Sequence, residues 1–341
     1  MVRLANISFS LAFSGLLASG MNHNNKNIHP SMKNCLIKPL LLSFCAFFLS
    51  GCALFDQNPD HVRIVDDRKT TTLTYTEAAE QSPIQDELDN FVEFGAFSAS
   101  IYLDDPKEQT NSLETFCAQE EMYRPSKLWA AIPLKLLEKQ NKKHEDLKLE
   151  IEAFHARNNP QKALLVFRGT DFEQKEDWYS NFRWFLKPLG LTSHDQYDEV
   201  QMLTPELISE IQSQHPSVTE VIATGHSLGG GLAQLAGYSS PLIHKVYAFD
   251  SSPVTGYYDI DSDQREANAE NMKIYRVYEH GEILAYLRLL MKGLYPISSK
   301  HPDIIQVRFE LIKDENNVEQ HSIRTLTCNL YKKLNSKGST L

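Results

Sequence analysis

The sequence predicts an α/β fold with a mostly parallel central sheet flanked by helices, and three observations carry that expectation. The first is the order strand, Gly-x-Ser-x-Gly, helix: an apolar, β-branched run, Val218 to Ala223, enters Thr224-Gly225-His226-Ser227-Leu228-Gly229-Gly230-Gly231. A run rich in Ala, Leu and Gln, Leu228 to Tyr238, leaves it. The second is the recurrence of near-continuous apolar runs of the buried-strand kind, such as Ala163 to Phe167 and Lys245 to Phe249, between helical patterns. The third is composition. With 42% hydrophobic and 23% charged residues over 341 positions, the chain can bury one large core and is neither disordered nor a multi-span membrane protein.

The Gly-x-Ser-x-Gly stretch predicts a nucleophile elbow. A serine stands at the top of a sharp strand-to-helix turn only if the residues two positions either side leave it room, and Gly225 and Gly229 do so. Ser227 is therefore the candidate nucleophile, and the backbone N–H of Leu228 a candidate oxyanion donor.

The amino-terminal region reads as a leader. Met32 to Lys38 is basic, Pro39 to Leu49 is apolar but too short to span a membrane comfortably, and Ser50-Gly51-Cys52 has small cleavage-site residues. Leu49-Ser50-Gly51-Cys52 resembles a bacterial lipobox, which implies a signal peptide over 1–51 with its true start at Met32 and lipidation of Cys52. The anchored chain is then expected in a bacterial cell envelope. Ala53 follows Cys52 in place of the Asp that resembles an inner-membrane retention signal, so the outer membrane is preferred. The leader holds only basic charges, so the mature chain is more acidic than the net −10 of the whole, a balance that disfavours nucleic acid. Of five cysteines, Cys117 and Cys328 remain beyond the anchor; pairing in an oxidising envelope and two buried thiols are both open. The histidines lack the spacing that would set two metal ligands on one face, and no cofactor is expected.

Residues 52–85 are polar and read as a tether, with the main domain over 86–341. Leu88 to Ile101 has apolar residues at helical spacing, at Leu88, Phe91, Val92, Phe94, Phe97 and Ile101. Asp104 to Tyr123 reads as a loop-rich insertion, and Ser126 to Gln140 as a second helix capped by Ser126. Leu147 to Ala156 and Ala163 to Phe167, joined by the turn Asn158-Asn159-Pro160, predict a hairpin that feeds a central strand.

That strand ends in Phe167-Arg168-Gly169-Thr170-Asp171. Together with Thr224-Gly225-His226-Ser227-Leu228-Gly229-Gly230, it resembles the class 3 (fungal-type) lipase branch of the α/β-hydrolases, over roughly Leu88 to Leu334. The resemblance implies a second oxyanion donor at Thr170; losing one such donor typically costs about 3 kcal/mol of transition-state stabilisation. It also implies a lid between Phe172 and Trp178. Here that segment is short and charged, and Phe172, Trp178, Tyr179, Trp184 and Phe185 are read as core or as the wall of an acyl pocket.

The triad acid is expected at the carboxyl end of a strand after the nucleophile. Glu282 stands where the family places an Asp, and it is favoured over Asp250 and Glu279, which also sit at strand ends. Asp250 replaces a glycine of the family pattern in Phe249 to Pro253. His321, late in the chain and just before a helical run from Ser322 to Leu334, completes the order serine, acid, histidine. The expectation is a lipase, phospholipase or esterase acting on lipid or other esters beside a membrane. The rival is a catalytically weak or dead hydrolase fold that serves as a surface binding lipoprotein, and acyl transfer to an alcohol is a third outcome of the same residues.

Overall fold

The computed structural model describes residues 61–103, 109–119, 121–143, 149–169, 196–285, 288, 299, 302–312 and 319–336. The leader, Cys52, Thr170, Asp171 and the whole segment of the expected lid and its aromatic residues lie outside the described residues. None of the described helices is long and apolar enough to cross a membrane.

The chain forms strands β1 (His61–Asp66), β2 (Lys69–Thr74), β3 (Gln109–Thr110), β4 (Met122–Tyr123), β5 (Trp129–Ile132), β6 (Ile151–Ala156), β7 (Lys162–Phe167), β8 (Glu220–His226), β9 (Ile243–Phe249), β10 (Lys273–Glu279) and β11 (Asp303–Phe309). A nine-stranded sheet has the order β2-β1-β11-β10-β9-β8-β7-β6-β5, and β3 and β4 form a separate pair. From β7 to β11 neighbouring strands run parallel. Both edges are antiparallel, through β1 and β2 on one side and β5 and β6 on the other.

The central strands are apolar on both faces because both faces are covered, as parallel sheets require. Along β7, Leu164 and Val166 face one core, with the helices Leu88–Ser100 and Ile323–Ser336. Ala163, Leu165 and Phe167 face the other, with Gln196–Gln214 and Leu228–Ser239. The result is a three-layer α/β/α arrangement of the α/β-hydrolase kind, as the alternation of patterns predicts. The carboxyl ends of β7 to β10 meet along one rim, where an open parallel sheet carries its ligands.

Two expectations fail locally. The polar stretch read as a tether is structured from His61 onward: β1 and β2 form a hairpin, and β1 pairs with β11. Val62 and Ile64 turn into the core at alternate positions, and Asp67 and Arg68 close the turn with positive φ, while the threonines of β2 favour extended chain. Nor does the helix expected over Ser126 to Gln140 exist as one piece. Trp129–Ile132 is the edge strand β5, paired with β6, and the helix begins only at Lys135. Pro133, which supplies no backbone donor, separates the two.

Candidate active site

Strand β8 lies within the parallel ladder, between β7 and β9, and it delivers Ser227 to the rim. Ser227 has φ 57 and ψ −123, a backbone conformation that side-chain-bearing residues seldom adopt. Four hydrogen bonds fix it: its N–H donates to the Phe249 carbonyl (3.0 Å), and its carbonyl accepts from the N–H groups of Gly230 (3.1 Å), Gly231 (3.3 Å) and Ser252 (2.9 Å). A Cβ on Gly225 would overlap the backbone of Gly229, and one on Gly229 would overlap the Phe167 carbonyl. The two glycines of the motif thus serve the close approach of helix, elbow and β7. Leu228 opens the Leu228–Ser239 helix, so its N–H has no intrahelical acceptor and is of the kind that can receive a developing negative charge.

The acid and the imidazole come from the two neighbouring segments. After β10, Gly281 turns the chain with φ 78 and sets Glu282 into the interior, fully buried. Glu282 Oε2 lies 2.7 Å from Nδ1 of His321, in the short 3-10 turn Glu319–His321. The same oxygen accepts the Leu284 N–H at 2.8 Å, and Oε1 takes the guanidinium of Arg288. Arg288 in turn donates to the Ser251 carbonyl at 2.9 Å and lies 4.0 Å from the centre of the Tyr278 ring. Burial raises the proton affinity of Glu282, but Arg288 and His321 outweigh it and hold the carboxyl below the usual glutamate range. An ionised carboxylate only accepts, so the hydrogen of a neutral His321 ring sits on Nδ1 and the lone pair on Nε2.

Of the three carboxylates weighed from the sequence, Glu282 is the one paired with the imidazole. Glu279 is tied to the end of β11, its Oε1 accepting the N–H groups of Leu311 (2.9 Å) and Ile312 (3.1 Å), and burial pushes its carboxyl up to about 8. Asp250 accepts the Glu279 N–H on Oδ1 at 2.8 Å. Its side chain is fully buried, and burial followed by the charge of Glu282 holds its carboxyl well above the usual range.

Three participants escaped sequence reasoning. His226, inside the motif, places Nε2 2.9 Å from the His321 carbonyl, and its ring centroid is 4.6 Å from that of His321. Because a carbonyl only accepts, His226 Nε2 carries the hydrogen and Nδ1 is an acceptor 3.3 Å from the Tyr102 hydroxyl, which is shared with the His226 carbonyl at the same distance. Burial, then the nearby His321, holds His226 well below the usual histidine range, so it stays neutral. The Tyr102 hydroxyl accepts the N–H of Gly169 at 3.1 Å, tying the end of β7 to the elbow. A polar His226 ending a mostly apolar buried strand was a signal in the sequence. Tyr102 and Arg288 carry no comparable local mark.

One group of metal-type side chains is brought together among the described residues: His226, Asp250 and His321, with one ligand atom of each within 4.8 Å of the others. An ion there would compete with bonds already made, His226 to the His321 carbonyl and His321 to Glu282. Cys117 and Cys328 are joined as a disulfide with Cα atoms 5.4 Å apart, which fastens the Ile323–Ser336 helix just beyond His321 to the Leu113–Ala118 helix.

Among solved structures, a mutant form of MDLA from Penicillium cyclopium is similar at 18% identity, over 69% of this chain and 90% of that one, with a TM-score of 0.36. A structure described as fungal lipases is similar at 18% identity, over 70% and 97%, with a TM-score of 0.35. An esterase of Pyrococcus furiosus is similar at 9% identity, over 62% and 93%, with a TM-score of 0.30. No curated protein matches. The phospholipase-like family model described as the Tle-like phospholipase domain matches residues 96–288, more than half of the chain and a range that holds both the Phe167–Asp171 and Thr224–Gly231 motifs as well as Glu282. The chain belongs to the family of Tle-like phospholipase domains.

Proposed function

We propose that the protein is a serine hydrolase of carboxylic esters in lipids. The observation that carries the reading is the buried pair of Glu282 and His321, 2.7 Å apart, with the His321 carbonyl bonded to His226, the residue before a serine whose backbone is held in the elbow conformation. His321 Nε2 takes the proton of Ser227 Oγ as that oxygen attacks the ester carbonyl. Glu282 holds the ring in the required tautomer and offsets the charge it gains. The oxyanion is received by the Leu228 N–H and, on the family resemblance, by Thr170. His321 then gives its proton to the leaving alkoxide, and water, deprotonated by the same ring, releases the acid from the acyl-enzyme. The family description points to phospholipids as the first substrates to try.

The test is labelling by a fluorophosphonate. Rapid modification of the parent, lost in Ser227→Ala and in His321→Ala, is the expected result, followed by release of fatty acid from phospholipid vesicles. A folded parent that resists labelling leaves the binding lipoprotein as the reading. We further propose that lipidation of Cys52 keeps the enzyme on a bacterial envelope membrane, preferentially the outer one. Palmitate incorporation that disappears in Cys52→Ala, with release of the protein from membranes, is the outcome that supports it.

A further inference from the structure

Asp250 is costly where it stands. It has φ 38, a left-handed backbone conformation in which glycine is at ease, and its N–H is drawn onto the Val277 carbonyl at 2.8 Å. The side chain is fully buried, Oδ1 is taken by the Glu279 N–H, and Oδ2 has no hydrogen-bond partner among the described residues. Strain and an unsatisfied buried oxygen on one residue point to a task in the site.

Its surroundings define that task. The groups that face it are Glu282 and Arg288 beyond β10, Glu279 at the end of β10, His226 from β8 and His321 from the turn before the last described helix. A side-chain nitrogen of each histidine lies within 4.8 Å of the Asp250 carboxyl. Both ring nitrogens of His226 are engaged, one by Tyr102 and the other by the His321 carbonyl. His321 is therefore the ring that a small rotation of Asp250 brings within reach.

We propose that Asp250 is a second positioning acid for His321, silent while Glu282 is in place and taking over its role when that carboxylate is lost. The inference rests on the hydrolase reading above. Its electrostatics are self-adjusting. The charge of Glu282 is part of what keeps Asp250 protonated; removing it lowers the proton affinity of Asp250, while Arg288 still favours the ionised form. Loss of the ionised acid thus favours ionisation of the reserve one.

The experiment uses the full chain and the hydrolysis of a p-nitrophenyl ester from about pH 5 to about pH 9. Parent, Ser227→Ala, Asp250→Asn, Glu282→Ala and the double variant Asp250→Asn with Glu282→Ala are compared, and thermal melts verify folding. Glu282→Gln, alone and with Asp250→Asn, supplies a second background if the alanine variant fails to fold. The expected result is that the Glu282 variant retains kcat at least about tenfold above the double variant with KM unchanged, a coupling that independent sites would not show. Its kcat should also rise with pH through an ionisation that the double variant lacks. Equal rates and equal profiles in the single and double variants overturn the proposal. A parent that neither hydrolyses the ester nor reacts with fluorophosphonate overturns the hydrolase reading, and this inference with it.

Discussion

The imidazole of His226 donates its Nε2 hydrogen to the backbone carbonyl of His321 at 2.9 Å, so the residue before the candidate nucleophile holds the main chain of the candidate base. The bond joins the end of β8 to a turn 95 positions later.

Replacing His226 by Phe keeps the ring volume and removes both hydrogen bonds. We expect fluorophosphonate labelling to slow by about tenfold to a hundredfold, the scale of a misplaced catalytic group, with the fold retained. Stopped-time labelling and circular dichroism together check this. The variant should also resist acid better. Since His226 is held neutral in the fold, its contribution is intact above its unfolded pKa of 6.5 and is lost as pH falls below it.

Ser227→Gly should abolish labelling and yet stabilise the protein. A strained residue with a side chain costs about 1 to 3 kcal/mol, and glycine recovers part of that against its greater chain entropy, leaving a gain of about 1 kcal/mol. Denaturant titration of parent and variant reads it directly. A loss of stability would mean that the elbow is not strained.

Glu279 makes stability fall as pH rises. Its carboxyl is pushed from 4.5 up to about 8 by burial, so between those values the folded chain keeps a proton that the unfolded chain has given up. Glu279→Gln keeps a carbonyl to accept from Leu311 and Ile312 and removes this dependence. Its advantage over the parent should be absent near pH 4.5, grow through the interval and level off above pH 8, on the order of 5 kcal/mol. Melts across that range test the shape of the curve.

The disulfide closes a loop with a sequence separation of 211, so Cys117→Ser with Cys328→Ser should cost about 3 to 5 kcal/mol. The Ile323–Ser336 helix that Cys328 anchors begins two positions after His321, and labelling should slow in the folded variant as well. Labelling unchanged at a lowered melting temperature would confine the bridge to stability.

Much of the site was legible because its chemistry is written in local spacing. Gly225 and Gly229 are where a serine on a sharp turn needs room, and the close approach of Gly229 to Phe167 shows why no larger residue fits. The apolar runs of β7 to β10 mark a sheet covered on both faces, and Glu282 and His321 follow Ser227 in the order that the superfamily resemblance implies. Less legible were the edges. Val62 and Ile64 look isolated in a polar stretch until β11 is there to pair with β1, and Trp129–Ile132 has helix-compatible residues that β6 draws into the sheet.

What the sequence by itself determined is the run of strands and helices, the elbow at Ser227 and the small set of acids and histidines from which a triad could be drawn. Those depend on periodicity and backbone freedom, which act over a few residues. Tertiary structure decided the rest. It paired Glu282 with His321 and Arg288, locked His226 against His321 and joined Cys117 to Cys328. Ionisation and pairing in a buried site depend on what the fold brings within a few ångströms, and those neighbours are scattered along the chain from Tyr102 to Cys328.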